Sequence, residues 1–218
     1  PFPQNPFIFL PPYKFMKRGF DAKKYIDAQT KEINKRIQKF KRMYLEIGGK
    51  LISDNHAARV LPGYRKSTKI DLMKKLAPLN ILYCINAKDL ESTRTLSTKN
   101  RTYQEQAIKN IKDIQKNKLK ISHIVITRYS GEKKAIAFKK QLQAKGHKVS
   151  FHKEIKGYSI NIPKTLKGFK NQPYIKLKEN LTIITGPAGN SGKMAVALSQ
   201  IYHETKKKKQ TGFAKYET

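Results

Sequence analysis

The feature that most constrains this chain is an alternation: short runs of β-forming residues recur along it, each followed by a stretch with helical periodicity. The runs are Met43–Ile47, Leu79–Ile85, Ile121–Thr127, Lys148–Phe151 and Leu181–Thr185. Strands separated by helices pair in parallel through right-handed crossovers. The pattern therefore predicts an α/β fold, a Rossmann-like and mainly parallel sheet flanked by helices. A chain of 218 residues, 38% of them hydrophobic, can fill the core that such a sheet needs.

Helix boundaries are marked by side chains that can satisfy free backbone groups. Asp21 can cap a helix whose apolar stripe is Ile26, Thr30, Ile33, Ile37 and Phe40. Thr102-Tyr-Gln-Glu105 reads as a capping box opening a helix that buries Ala107, Ile108, Ile111 and Ile114. Gly146 is placed to end the helix built on Ala135, Phe138 and Leu142.

Residues 1–18 differ in kind. Five prolines fall within the first fifteen residues, among large apolar side chains, which forbids a helix and favours an extended arm. The arm lies on a partner or folds back on its own domain. The expected organisation is an arm over 1–18, an α/β domain over 19–204 and a basic tail over 205–218.

The single cysteine, Cys84, sits inside an apolar run and reads as a buried, inert thiol. That fits a reducing compartment. No stretch approaches the ~18 apolar residues of a membrane span.

After the strand Leu181–Thr185 comes Gly186-Pro-Ala-Gly189-Asn-Ser191-Gly192-Lys193, then a helical pattern through Met194, Leu198 and Ile201. Strand, glycine-rich turn, lysine and helix form the setting of a phosphate-binding loop, in which backbone N–H groups converge on phosphate oxygens at a helix N-terminus. Gly186, Gly189, Ser191, Gly192 and Lys193 are the candidate ligand-binding residues. Two departures matter: five residues rather than four separate Gly186 from Gly192, and Met194 stands where Ser or Thr would hold magnesium. The acid expected at the end of a neighbouring strand is missing, since Ile121–Thr127 runs into Arg128 and Asp89 is a poor substitute. A structural tight turn is the alternative reading.

Charge points elsewhere. Lys and Arg number 47 against 15 Asp and Glu, a net +32. Such a surplus favours a polyanion, because lysines that replace condensed counterions on a phosphate backbone gain free energy. Candidate RNA contacts are Lys23, Lys24, Lys31, Lys35 and Arg36 on the first helix and the run Lys206, Lys207, Lys208 and Lys209. The aromatic residues show no base-stacking pattern, so phosphate contacts and shape would dominate.

Six segments, GFDAKKYI, LEIGGKL, HAARVLPGY, INAKDLE, GPAGNSGKMAVALSQIYHE and TGFAKYET, spread from Gly19 to Thr218. In them the chain resembles a bacterial family known as domain of unknown function eighteen-forty-six. The resemblance implies a Rossmann-like N-terminal domain, from proteins about twice this length, and no assigned reaction. Zinc-protease activity, attributed to some members, is not supported: His203-Glu204 is followed by Thr205 and lysines, with no second histidine at the required spacing, so neither a catalytic nor a metal site is assigned. The segment with His56 and Arg59 could face a cleft with Asn86 and Lys193. Set against these relatives, the positive charge looks like a family domain resurfaced for RNA.

The expectation from sequence is a structural RNA-binding subunit of a large ribonucleoprotein. The best single assignment is a mitochondrial ribosomal protein among rRNA and neighbouring subunits, with the cytoplasm as the other location. It would be no free homo-oligomer and hold no cofactor beyond a vestigial nucleotide. The alternative is a nucleotide- or phosphate-ligand-binding enzyme using the Gly186–Lys193 loop.

Overall fold

A computed structural model describes residues 19–48, 51–52, 55–96 and 101–216. The expected arm over 1–18 lies outside the described residues.

In chain order the elements are α1 (Ala22–Phe40), β1 (Arg42–Ile47), α2 (Asn55–Val60), α3 (Thr68–Leu76), β2 (Asn80–Asn86), α4 (Ala87–Glu91), β3 (Thr95–Leu96) and β4 (Arg101–Thr102). They continue with α5 (Tyr103–Lys116), β5 (His123–Tyr129), α6 (Lys133–Ala144), β6 (Val149–Lys153), α7 (Ile162–Lys170), β7 (Leu181–Thr185), α8 (Lys193–Lys206) and β8 (Thr211–Tyr216). Six strands form one sheet in the order β6-β5-β2-β7-β1-β8, and every neighbouring pair in it is parallel. β3 and β4 make a separate antiparallel pair. The α/β, Rossmann-like reading holds.

The central strands are buried on both faces, as parallel strands between helical layers must be. All seven residues of β2 and all five of β7 are buried. On one face Leu45, Ile81, Tyr83, Ile126 and Ile183 pack against apolar residues of α1, α3, α5 and α6. On the other, Tyr44, Leu82, Cys84, Val125 and Ile184 meet Val196 and Ala197 of α8 together with Ile175 and Leu177. α7 packs on α8.

Local capping matches the sequence. The Asp21 carboxylate accepts from the N–H groups of Lys23 and Lys24 at 3.0 Å each. These bonds, the one from Lys24 first, lower its pKa. Thr102 and Glu105 form the reciprocal capping box of α5. Gly146 follows α6 at φ +80°, a left-handed position that suits glycine.

The expected basic tail over 205–218 is not a tail. α8 runs to Lys206, and after a short turn residues 211–216 enter the sheet as β8, in register with β1 from Arg42↔Thr211 to Ile47↔Tyr216. Gly212 allows the close approach, since a Cβ there would lie 2.7 Å from the Phe40 ring and 2.8 Å from the Met43 sulfur. Tyr216 is buried, and the Tyr25 hydroxyl donates to its hydroxyl at 2.6 Å, tying α1 to this edge strand.

Candidate functional site

The connection after β2 leads toward β5, whereas the connection after the adjacent β7 leads through α8 toward β8 on the opposite side. β2 and β7 therefore flank a switch point, where the chain departs in both directions and leaves a crevice beyond the strand ends; ligands of open α/β sheets bind in such crevices. The glycine-rich loop lies there.

Buried side chains hold that loop from three elements. Ser191 is fully buried, and its hydroxyl donates to the Ala188 carbonyl at 2.7 Å and lies 3.1 Å from the Tyr103 hydroxyl. Tyr103 accepts from the Asn86 backbone N–H at 2.9 Å, and the Asn86 side-chain amide donates to the Asn190 carbonyl at 3.2 Å. Thr127 at the end of β5 donates to the Ser191 carbonyl at 2.9 Å. Asn190 and Gly192 turn the chain through left-handed conformations at φ 60° and 72°.

The five loop residues singled out by sequence thus differ in what they do. Gly186 and Gly192 serve packing, because a Cβ would come within 2.5 Å of the Cys84 carbonyl oxygen at the first and 2.7 Å of the Thr127 hydroxyl at the second. Ser191 engages its hydroxyl inside the loop. Gly189, Ser191, Gly192 and Lys193 line the cleft, as do Asn190 and Met194. The first turn of α8 adds backbone N–H groups that have no acceptor within the helix.

The cleft has a volume of about 880 Å³ and is walled by the C-terminal ends of β1, β5 and β6, the loop, and the segment 153–160. Five cations, Arg128, Lys153, Lys156, Lys193 and Lys215, line it against two carboxylates, Glu46 and Glu154. A cleft of this sign concentrates anions. Arg128 reaches it through a backbone irregularity: the β5–β6 register shifts between Ile126 and Tyr129, and Arg128 adopts φ 53°. Its guanidinium lies 3.5 Å from Glu154, which also pairs with Lys88 at 2.6 Å. The hydrogen bond from Lys88, foremost, holds the Glu154 carboxyl below its ordinary pKa.

Glu46, on β1, is 5% exposed and lines the cleft. Its Oε1 lies 3.9 Å from the Lys193 ammonium, while Oε2 has no hydrogen-bond partner among the described residues. In the sheet it stands between Ile184 of β7 and Lys215 of β8. His152, at the end of β6, contacts the Ser199 hydroxyl at 3.2 Å, and burial lowers its pKa to about 4. It is therefore neutral near pH 7. Cys84 is a buried free cysteine whose thiol pKa is raised by burial.

Other residues suggested by sequence fall elsewhere. His56 and Arg59 lie exposed on α2, 3.4 Å apart, and neither lines the cleft. Asn86 caps α4 and braces the loop instead of facing a ligand. Asp89 is engaged by Arg94 at 3.2 Å and by the Asn86 amide. His203 reaches the Gln172 carbonyl at 2.9 Å, and buried Glu204 pairs with Arg42 at 3.2 Å and Lys209 at 3.1 Å, so this pair serves packing. Among the described residues no group of three or more His, Cys, Asp or Glu could hold a metal ion. No helix among them is long and apolar enough to cross a membrane.

The lysines expected to meet RNA are dispersed. Lys23, Lys24, Lys31, Lys35 and Arg36 are exposed on α1, which covers the sheet face opposite α8, and Arg36 pairs with Glu32 at 3.4 Å. Lys206 ends α8, Lys207 caps it and stacks over the Tyr174 ring at 3.3 Å, Lys208 turns the chain at φ 57°, and Lys209 faces Glu204. This run is the turn that delivers β8.

The family model described as "Domain of unknown function DUF1846, N-terminal" matches residues 18–218. A UPF0371 protein of Clostridium botulinum (strain Eklund 17B / Type B) is 37% identical over 206 residues, covering 93% of this chain and 41% of the relative. A UPF0371 protein of Clostridium tetani (strain Massachusetts / E88) is 39% identical over the same shares. The chain thus spans about two fifths of the length of the curated relatives it matches.

These findings overturn the ribosomal expectation. The similar proteins are bacterial and uncharacterised, and nothing in them points to RNA, a ribonucleoprotein or a mitochondrion. Net charge is a sum that ignores position. Some of the cations it counts are committed within the fold, as where buried Lys69 donates to the Gly48 carbonyl at 3.1 Å and Lys88 holds Glu154.

Proposed function

The chain belongs to the DUF1846 family, and on that premise we propose that the cleft at the β2–β7 switch point binds a small molecule through its phosphate. The phosphate rests on the backbone of the Gly189–Lys193 turn at the head of α8, with Lys193 as the adjoining cation. The observation that supports this most is the bracing of an exposed turn by buried groups. Thr127, Tyr103 and Asn86 hold the loop rigidly, at the end of a parallel strand, where its glycine-lined side opens onto a cationic cleft. Preorganised N–H groups at a helix N-terminus favour an anion without the cost of ordering a loop on binding.

A thermal-shift titration with inorganic phosphate, pyrophosphate and simple phosphate esters tests it. The reading expects saturable stabilisation in the wild type and its loss in Gly189→Val. A Cβ at Gly189 meets nothing within 4 Å, so this variant folds while its side chain obstructs the turn. Equal stabilisation of both proteins would move the phosphate elsewhere.

A further inference from the structure

The Glu46 carboxylate raises a question that phosphate binding does not answer. An anion-binding cleft gains nothing from a buried carboxylate, and this one is nine-tenths buried, with one oxygen unpartnered among the described residues. An ionised carboxylate only accepts hydrogen bonds, and a buried acceptor without a donor carries an uncompensated desolvation cost. The group that completes it must donate a proton in a hydrogen bond. A phosphate dianion cannot. A ligand ammonium is disfavoured by the five cations that share the cleft with two carboxylates. A hydroxyl has neither defect.

The position is also right for a ligand that is held at two points. Glu46 lies on the strand next to β7, and its carboxylate is 3.9 Å from the ammonium of Lys193 at the head of α8. The cleft is far larger than a phosphate, and Tyr158, Ile160 and Met194 give it an apolar side, with Ile160 89% exposed.

We infer that Glu46 accepts a hydrogen bond from a ligand hydroxyl, so that the site takes phosphate esters of a hydroxylated carbon skeleton, a sugar phosphate or a nucleotide, in preference to bare phosphate. This inference rests on the phosphate-loop reading above. Lys193 and Glu46 act as a pair, one directed to the phosphate and the other to a hydroxyl.

Isothermal titration calorimetry can separate the two claims. Methyl phosphate, ribose 5-phosphate and adenosine 5′-monophosphate are titrated into the wild type, Glu46→Ala and Glu46→Gln. The expected result is that at least one hydroxylated ester binds the wild type roughly tenfold or more tighter than methyl phosphate, the scale of a hydrogen bond to a charged group. Glu46→Ala removes that advantage and leaves methyl phosphate unweakened. Glu46→Gln, which keeps the shape and can still accept, gives an intermediate loss and guards against misfolding of the alanine variant. Ribose 5-phosphate alone gaining the advantage identifies the sugar as the recognised unit, and the nucleotide alone gaining it identifies a nucleoside. If all three esters bind alike and the Glu46 variants change nothing, the hydroxyl inference is overturned while the phosphate loop stands. If none binds the wild type, both fall.

Discussion

Thr127 and Ser191 are joined by a hydrogen bond of 2.9 Å, from the hydroxyl at the end of β5 to a carbonyl in the loop after β7, across the end of β2 that separates those strands. The bond ties the turn to the sheet from a strand that is not its neighbour. The Ile85 carbonyl lies 3.3 Å from the same hydroxyl, so Thr127 bridges the ends of three strands.

Thr127→Val keeps the side-chain shape and removes the donor, leaving the Ser191 carbonyl short of a partner. The expected loss of stability is about 1–3 kcal/mol. Urea denaturation measures it, and phosphate affinity should fall with it because the turn is loosened.

Gly192→Ala should be more disruptive than its position on a surface loop suggests. The residue has φ 72°, and the added Cβ would lie 2.7 Å from the Thr127 hydroxyl and 2.8 Å from its Cβ. Left-handed strain alone costs roughly 1–3 kcal/mol, and the clash adds to it. A melting temperature lower than that of Thr127→Val would agree with this account. A wild-type melting temperature would not.

Acid sensitivity should trace in part to His123, whose pKa burial lowers to about 4, and in part to His152. The pKa of His152 is lowered from 6.5 to about 4 by burial, so the unfolded chain takes up this proton before the folded one. Above about pH 6.5 both states are neutral and the group has no effect. As pH falls from 6.5 toward 4, stability drops by about 3 kcal/mol from this residue, and below that the slope ends. His152→Gln should reduce the slope of unfolding stability within that window, leaving the part contributed by His123 and His147, whose pKa values burial also lowers. The lowered carboxyls of Asp21, Glu105 and Glu154 act at lower pH, so the two contributions can be resolved.

What could be read from the chain is what short segments encode. β7 matches its expected span, and β1, β2, β5 and β6 are displaced by one or two residues, because their β-forming runs are local and uninterrupted. The caps at Asp21, Thr102 and Gly146 are equally local. β8 is not evident in the sequence because Thr-Gly-Phe-Ala-Lys-Tyr comes soon after four lysines and reads as tail; its place depends on Gly212 fitting beneath Phe40 and Met43, which are far away in sequence.

The site was legible only in part. Strand, glycine turn and helix were evident, but the sequence could not separate Gly186 and Gly192, which pack, from Gly189, which is open. Nor could it foresee that Ser191 is consumed by Tyr103 and Ala188. Nothing in the local pattern marks Glu46, within the apolar run Met43–Ile47, or Arg128, beyond Ile121–Thr127, as lining a cleft. The signal that could have found Glu46 is a single acid inside the otherwise uncharged run Met43–Ile47, all of it buried.

The most direct measurement is an amide proton–nitrogen correlation spectrum of the protein titrated with inorganic phosphate. The account predicts that amides of residues 189–195 shift together along one saturable curve, and that Lys193→Ala weakens that curve. Shifts confined to exposed lysines such as those of α1, with the 189–195 amides unmoved, would contradict it.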